Sequence, residues 1–347
     1  MIAKFKISKK KIITEKSEPY IIAEACINHE GNIKIAKKMI KLASTAGASA
    51  IKFQMHVLED EMLKKTPKSK NFKESLYDAL ERTNFNIKEH IFLKNFCKKN
   101  KIEYLCTPFS RKSADILFKD VKVNSFKVGS GELTNLPLQI HIAKKKLPTI
   151  ISTGMSTLKE VEETYKNVIK FNKKIALTQC TSIYPCPSKY SDIGVIKKYI
   201  KKFKLPIGLS DHTNNIYTSL GAIALGACII EKHFTLNKKA PGPDHASSIE
   251  PHELKQLVQG ANEIFEARNE NKKIHKKEFE IIKWARESVV TTKIVNKGEI
   301  LNNTNISVKR PAPRKGVIPA KSLRSVIGKR ARFNLKADKQ LKWTEIT

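Results

Sequence analysis

From Tyr20 to about Arg268 the chain alternates short apolar runs with segments of helical periodicity. The runs are YIIAEA (20–25), SAIKFQ (49–54), EYLCTP (103–108), SFKVGS (125–130), PTIIST (148–153), IALTQC (175–180), PIGLSD (206–211) and ACIIEK (227–232). Between them lie amphipathic stretches such as IKIAKKMIKLASTAG (33–47), IKEHIFLKNFCKKN (87–100) and TLKEVEETYKNVIKF (157–171). Runs this short that carry β-branched residues read as strands, and the 3.6-residue pattern reads as helix. Strand and helix in strict alternation imply a parallel sheet, and eight such units predict an α/β fold of the (β/α)8 TIM-barrel type, with a doubly wound open sheet as the alternative. The connection after the second run (55–86) is long and is expected to be a functional loop or lid.

After about Glu287 the pattern changes to short β-type runs separated by turns. IVNKGEILNNTNI (294–306) loosely repeats as LKADKQLKWTEI (335–346). The expected organisation is a barrel domain over 1–275 with an N-terminal β extension (1–18), a linker over 276–290 and a small β-rich domain over 291–347. A unit of that size is near the lower limit for folding alone, so docking on another surface is expected.

The longest uncharged apolar stretch, Ile216 to Ile230, is too short to span a bilayer. The lysine-rich N-terminus has no apolar signal core, which points to the cytoplasm. Six cysteines form no CxxC pair or zinc-ribbon spacing and read as buried, reduced thiols. The net charge of +33 comes from lysines spread over the polar faces of helices, as in VIKKYIKKF (195–203). Without a basic tail or an RNA-binding signature, it describes a solvated surface rather than a nucleic-acid binder, and it favours anionic ligands.

Chemistry in a (β/α)8 barrel gathers at the C-terminal strand ends. Here those ends supply Glu24, Lys52, Gln54, Thr107, Lys127, Ser130, Ser152, Ser182, Tyr184, Ser210, His212, Glu231 and His233. Lys52 and Gln54 share a strand face, as do Glu231 and His233. Charges pointing inward there need a counter-charge or a ligand. IGLSDHT (207–213) and ACIIEKHFT (227–235) put His212 and His233 on adjacent strands, where two imidazoles suit a divalent metal with open positions; two satisfied core histidines are the alternative. Barrel closure brings Glu24 beside His233. KVGSGE (127–132) and STGMST (152–157) place small hydroxyls and backbone amides between strand and helix, an arrangement suited to phosphate, and neither is a Walker or dinucleotide fingerprint.

Together with IAEACINHEG (22–31), IKFQ (51–54), CTPFS (106–110), QCTSIYPCP (179–187), EKHFT (231–235), PGPDHASSIEP (241–251) and VKRP (308–311), these motifs resemble the sialic acid synthase family over nearly the whole chain, including its antifreeze-like (SAF) domain. The resemblance implies a transferase of phosphoenolpyruvate onto an N-acetylated amino sugar, forming a C–C bond. It implies His212 and His233 as ligands of Mn²⁺, or of Mg²⁺ or Co²⁺. Lys52, Thr107, Lys127, Ser130, Ser152 and Ser210 would hold phosphoenolpyruvate. Glu24, with Lys52, Lys127 and Glu231, would carry the chemistry. Gln54, Asn71, Tyr184, Glu231 and Asp244 would fall where the sugar and its surroundings are contacted. Arg310 would reach the acyl group from the partner subunit of a domain-swapped homodimer. The loop PGPDHASS is more similar to the sialic and legionaminic branches than to the pseudaminic one. Pseudaminic acid synthase, another phosphoenolpyruvate-dependent sugar synthase, and a noncatalytic carbohydrate-binding protein are the alternatives.

Overall fold

The computed structural model describes residues 4–8, 11–65, 74–268 and 271–347. Asn71 lies outside them. The chain divides into two compact units, Met1–Asn269 and Glu270–Thr347.

The first unit opens with a hairpin of β1 (Phe5–Lys6) and β2 (Ile12–Ile13). The eight strands that follow are β3 (Tyr20–Glu24), β4 (Ala50–Met55), β5 (Glu103–Pro108), β6 (Phe126–Val128), β7 (Thr149–Ser152), β8 (Ile175–Cys180), β9 (Ile207–Asp211) and β10 (Ile229–His233). They pair in parallel in the order β5-β4-β3-β10-β9-β8-β7-β6, so the first and last strands, β3 and β10, are neighbours. This nearly closed ring is the TIM-type barrel.

The sequence explains which end of the ring is polar. On the inward face, residues alternate along each strand, apolar near its start and polar near its end. Ile22 precedes Glu24, Ala50 precedes Lys52, Ile150 precedes Ser152, and Ile229 precedes Glu231. The strand starts pack into a small buried cluster with Phe5, Ile7 and Ile13, so the N-terminal hairpin closes the bottom of the barrel. The outward strand faces bury against the helices in a much larger apolar layer. Several of those helices begin at a capping box; Asn86, for example, accepts from Glu89 N while Glu89 reaches back to the Asn86 amide.

The second unit pairs β11 (Ser288–Thr291) with β12 (Ile306–Lys309) in antiparallel fashion. Isolated bridges join its other turns, including Val295 to Leu335, the two starts of the loose internal repeat. Its core holds Val289, Leu301, Ile318, Val326 and Leu341. The stretch 276–290, expected as a linker, instead contains a helix, Glu278–Ala285, and the start of β11. The helix is tied down by Ala312 N donating to Lys283 O and Arg310 Nε donating to Ala285 O. Its apolar residues Phe279, Ile281 and Trp284 are exposed, so it has no buried face in this unit.

Candidate active site

The polar ends of the barrel strands converge on a cavity of about 280 Å³. Its floor is a chain of buried charges. Lys52 Nζ lies 3.3 Å from Glu24 Oε2 and 3.4 Å from Glu231 Oε1, and Lys127 Nζ lies 3.4 Å from the same Glu231 oxygen. The register accounts for this: Glu24 stands opposite Lys52 across β3 and β4, and Glu231 opposite Ser210 across β10 and β9. Hydroxyls fill the gaps. Lys52 Nζ donates to Thr107 Oγ1 (3.2 Å), Lys127 Nζ to Ser152 Oγ (2.6 Å), and Ser210 Oγ to Glu231 Oε1 (3.0 Å). Two lysines and two carboxylates thus supply each other's counter-charge, the requirement that inward-facing charges impose.

The environment separates the two carboxyls. Burial raises Glu24 well above the usual carboxylate range, with Lys52 opposing and Glu231 reinforcing the shift. Burial acts on Glu231 the same way, but Lys127 and Lys52 outweigh it and hold Glu231 low. Burial alone would lower Lys52; the two carboxylates reverse this and keep it firmly protonated. Burial lowers Lys127, and Lys52 adds repulsion. One carboxyl whose proton affinity is raised beside one kept ionised is the division of labour a proton-transfer site needs.

The two histidines sit above this floor, their ring centroids 5.2 Å apart, and the Tyr184 ring lies 4.1 Å from that of His212. His212 Nδ1 lies 2.8 Å from Thr181 O, which makes it the donor and leaves Nε2 with the lone pair. His233 Nδ1 is buried and has no partner. Its register partner across β3 is Glu24. Cys26 Sγ, a His233 ring nitrogen and an Asp244 oxygen all come within 4.8 Å of one another. A buried imidazole nitrogen beside a thiol, a carboxylate and a second imidazole is a donor set that fits a divalent metal.

The intervening residues of the two histidine motifs face the other way. Asp211 and Lys232 pair at 3.1 Å behind the sheet, fully buried. Asp211 also accepts from Thr213 N, Thr218 Oγ1 and Ser219 Oγ. This network anchors the strand ends that carry His212 and His233, so the motif SDHT divides between a site residue on one face and a structural one on the other.

The structure also places Ser130 at the cavity, where its Oγ accepts from Gly154 N at 3.1 Å and joins the two loops expected to bind phosphate. Gln54 donates to Glu24 Oε1 (3.3 Å) and to Cys26 Sγ (3.0 Å). Tyr184 and Asp244 line the cavity as well. Arg310 belongs to the second unit. A larger hollow of about 470 Å³ shares Met155 and Ser182 with the cavity, and its charged lining residues are Asp192 and Lys198.

Three residues were missed by reading strand ends. Glu132, in the turn Ser130–Glu132, lines the cavity; burial raises its carboxyl to about 7, and its Oε2 has no partner. Its signal was the last letter of KVGSGE. His56 contacts Gln54 Oε1 (3.1 Å) and Glu61 Oε1 (2.7 Å), which fixes the Gln54 amide so that its NH₂ faces Glu24 and Cys26. Cys26, read as one of the buried, reduced thiols, is buried as expected yet lines the cavity.

The NeuB family model matches residues 39–273 and the SAF domain model residues 286–347. The chain is 40% identical to the N,N'-diacetyllegionaminic acid synthase of Campylobacter jejuni, covering 93% of this chain and 98% of that one. It is 32% identical to human N-acetylneuraminate-9-phosphate synthase, over 92% and 90% of the two chains. The N-acetylneuraminic acid synthetase structure from Leptospira borgpetersenii superposes with a TM-score of 0.75 at 30% identity, covering 81% of this chain and 96% of that one. The protein belongs to the NeuB family of sialic acid synthases and ends in a SAF domain.

Proposed function

We propose that the barrel mouth condenses phosphoenolpyruvate with the open-chain form of an N-acetylated mannose-type amino sugar, releasing phosphate and a nonulosonic acid. A 2,4-diacetamido-2,4,6-trideoxy sugar is the favoured acceptor, because the relatives at 40% and 33% identity are both N,N'-diacetyllegionaminic acid synthases while a pseudaminic acid synthase stands at 30%. The observation that carries the reading is the Glu24–Lys52–Glu231–Lys127 ion chain, edged by Thr107, Ser152 and Ser210, in the same cavity as His212 and His233.

Lys52 and Lys127 offer charge to the carboxylate and phosphate of phosphoenolpyruvate, and the hydroxyls of Thr107, Ser130, Ser152 and Ser210 supply the remaining contacts. His212 and His233 would hold a divalent cation, Mn²⁺ in this reading, with Mg²⁺ or Co²⁺ as substitutes. That cation supplies Lewis acidity at the sugar's aldehyde oxygen. C3 of phosphoenolpyruvate forms the new bond to the aldehyde carbon. Water adds at C2, and phosphate leaves as the C2–O bond breaks, which yields the 2-keto acid. Glu24 holds and moves a proton next to the reacting carbons, and Glu231 stays ionised between the lysines. Gln54, Tyr184 and Asp244 line the space for the sugar, and Asn71 is assigned to the same contact. Arg310 is assigned to the acyl group bound in the other subunit of a domain-swapped homodimer.

Phosphate release with Mn²⁺, and in parallel with Co²⁺, tests the reading. N-acetylmannosamine and the diacetamido sugar are supplied separately, and the product is identified by mass. Turnover with the diacetamido sugar alone is expected. Turnover with N-acetylmannosamine alone moves the assignment to a sialic acid synthase, and silence with both, and with the pseudaminic precursor, removes it.

A further inference from the structure

Cys26 stands immediately after β3 with φ of 45°, in the left-handed region where a residue with a β-carbon is uncommon. That conformation turns the thiol into the cavity. There its sulfur receives Gln54 Nε2 at 3.0 Å. Its sulfur lies within 4.8 Å of a His233 nitrogen and an Asp244 oxygen. His233 is only 7% exposed, and its Nδ1 is buried without a partner. Asp244 is itself held in place, since its carbonyl accepts from Ser247 and Ser248, and Ser248 is gripped by Asn28.

We propose that Cys26 and Asp244 join His212 and His233 as protein ligands of the divalent cation, and that the sulfur makes this site favour Zn²⁺ or Co²⁺ over Mn²⁺. Thiolate is a soft donor, and Mn²⁺ is the hard, weakly bound end of the divalent series. Four protein donors on a six-coordinate cation leave two positions open for water and substrate oxygen. The Cys26 thiol proton is released to solvent as the cation binds, so uptake liberates acid. The inference rests on the reading that a metal occupies this mouth, but its test needs no substrate.

The metal-free full-length protein is titrated with CoCl₂ and followed by absorbance. The wild type develops a near-ultraviolet thiolate-to-cobalt charge-transfer band that saturates at one cobalt per chain. Cys26→Gly suits the left-handed position and keeps the fold, as thermal melting will show; it loses the band and binds cobalt about tenfold more weakly or worse. Asp244→Asn keeps the band and weakens binding by a similar factor. Cys180→Ser, which removes the thiol 3.9 Å from His212, leaves the band intact. Equimolar ZnCl₂ bleaches the band and MnCl₂ does not. A wild type that binds no cobalt, a wild type without the band, or a band that persists in Cys26→Gly overturns the ligand set. Condensation without the band would leave the proposed reaction standing and remove this inference; the band without condensation would do the reverse.

Discussion

At the residue scale the site is built on differences between chemically alike groups. Glu24 and Glu231 both face inward on neighbouring strands, two residues apart in register, yet two lysines flank Glu231 and only one pairs with Glu24. Glu24→Gln keeps the shape and removes the proposed proton carrier, so kcat is expected to fall about 10²–10⁴-fold in the phosphate-release assay, with the KM for phosphoenolpyruvate little changed. Normal turnover would end the assignment. A second contrast concerns the histidines outside the site. His90 is buried with Nδ1 2.7 Å from Tyr104 Oη and Nε2 unpartnered, and burial lowers its pKa from 6.5 to about 4. Between those values the unfolded chain binds a proton that the native chain refuses. Stability is therefore intact above pH about 6.5 and drains away as pH falls through the window. His90→Asn keeps a polar partner for Tyr104 and cannot titrate. Its stability–pH slope inside the window is expected to be shallower by about 1.4 kcal/mol per pH unit, measured by urea denaturation at several pH values. His29, lowered by burial to about 3, keeps its own share of the slope. Most of the site's inward residues were legible because strand alternation is strict. Cys26, Glu132 and His56 were not, because each lies beyond a strand end, where no periodicity tells which way a side chain points.

At the element scale, β9 and β10 carry both histidines, and their spacing depends on one small residue. A β-carbon on Gly208 would stand 2.4 Å from the backbone oxygen of Ile229, and backbone in a paired strand cannot rotate away as a side-chain tip can. Gly208→Ala must push β9 from β10. It is expected to cost about 1–3 kcal/mol or more and to weaken cobalt binding together with the melting temperature. An unchanged melting curve would show that the sheet opens there freely. The eight strands were readable because parallel strands covered on both faces become short continuous apolar runs. The N-terminal extension was legible as β structure, but its service as the barrel's floor was not, since Phe5, Ile7 and Ile13 gain partners only when all the strand starts come together. The helix Glu278–Ala285 escaped for a related reason. Without a buried face, the apolar residues of EFEIIKWA show no one-sided pattern against which helical spacing could be recognised.

At the scale of the whole molecule, the second unit raises the question of how a small β module takes part in the chemistry of a barrel. Phe279, Ile281 and Trp284 are each exposed on its helix, and exposed large apolar side chains in such number point to association. The proposed domain-swapped dimer gives Arg310 a site in the other subunit, and this arrangement makes an arithmetic prediction. Glu24→Gln lacks its own barrel chemistry but carries a sound Arg310, and Arg310→Ala has the complementary defect. Each homodimer is expected to be nearly inactive. Co-expressed, the two chains pair at random, so half the dimers are mixed. In each mixed dimer the Arg310→Ala barrel receives the intact arginine of its neighbour, and one site of two is restored. Phosphate release should therefore recover to about a quarter of the wild-type rate per chain. If Arg310 serves the barrel of its own chain, no pairing unites a sound Glu24 with a sound Arg310, and the mixture stays as inactive as its parts. Sedimentation of the same samples gives the independent check, since recovery requires a dimer and a monomer cannot complement.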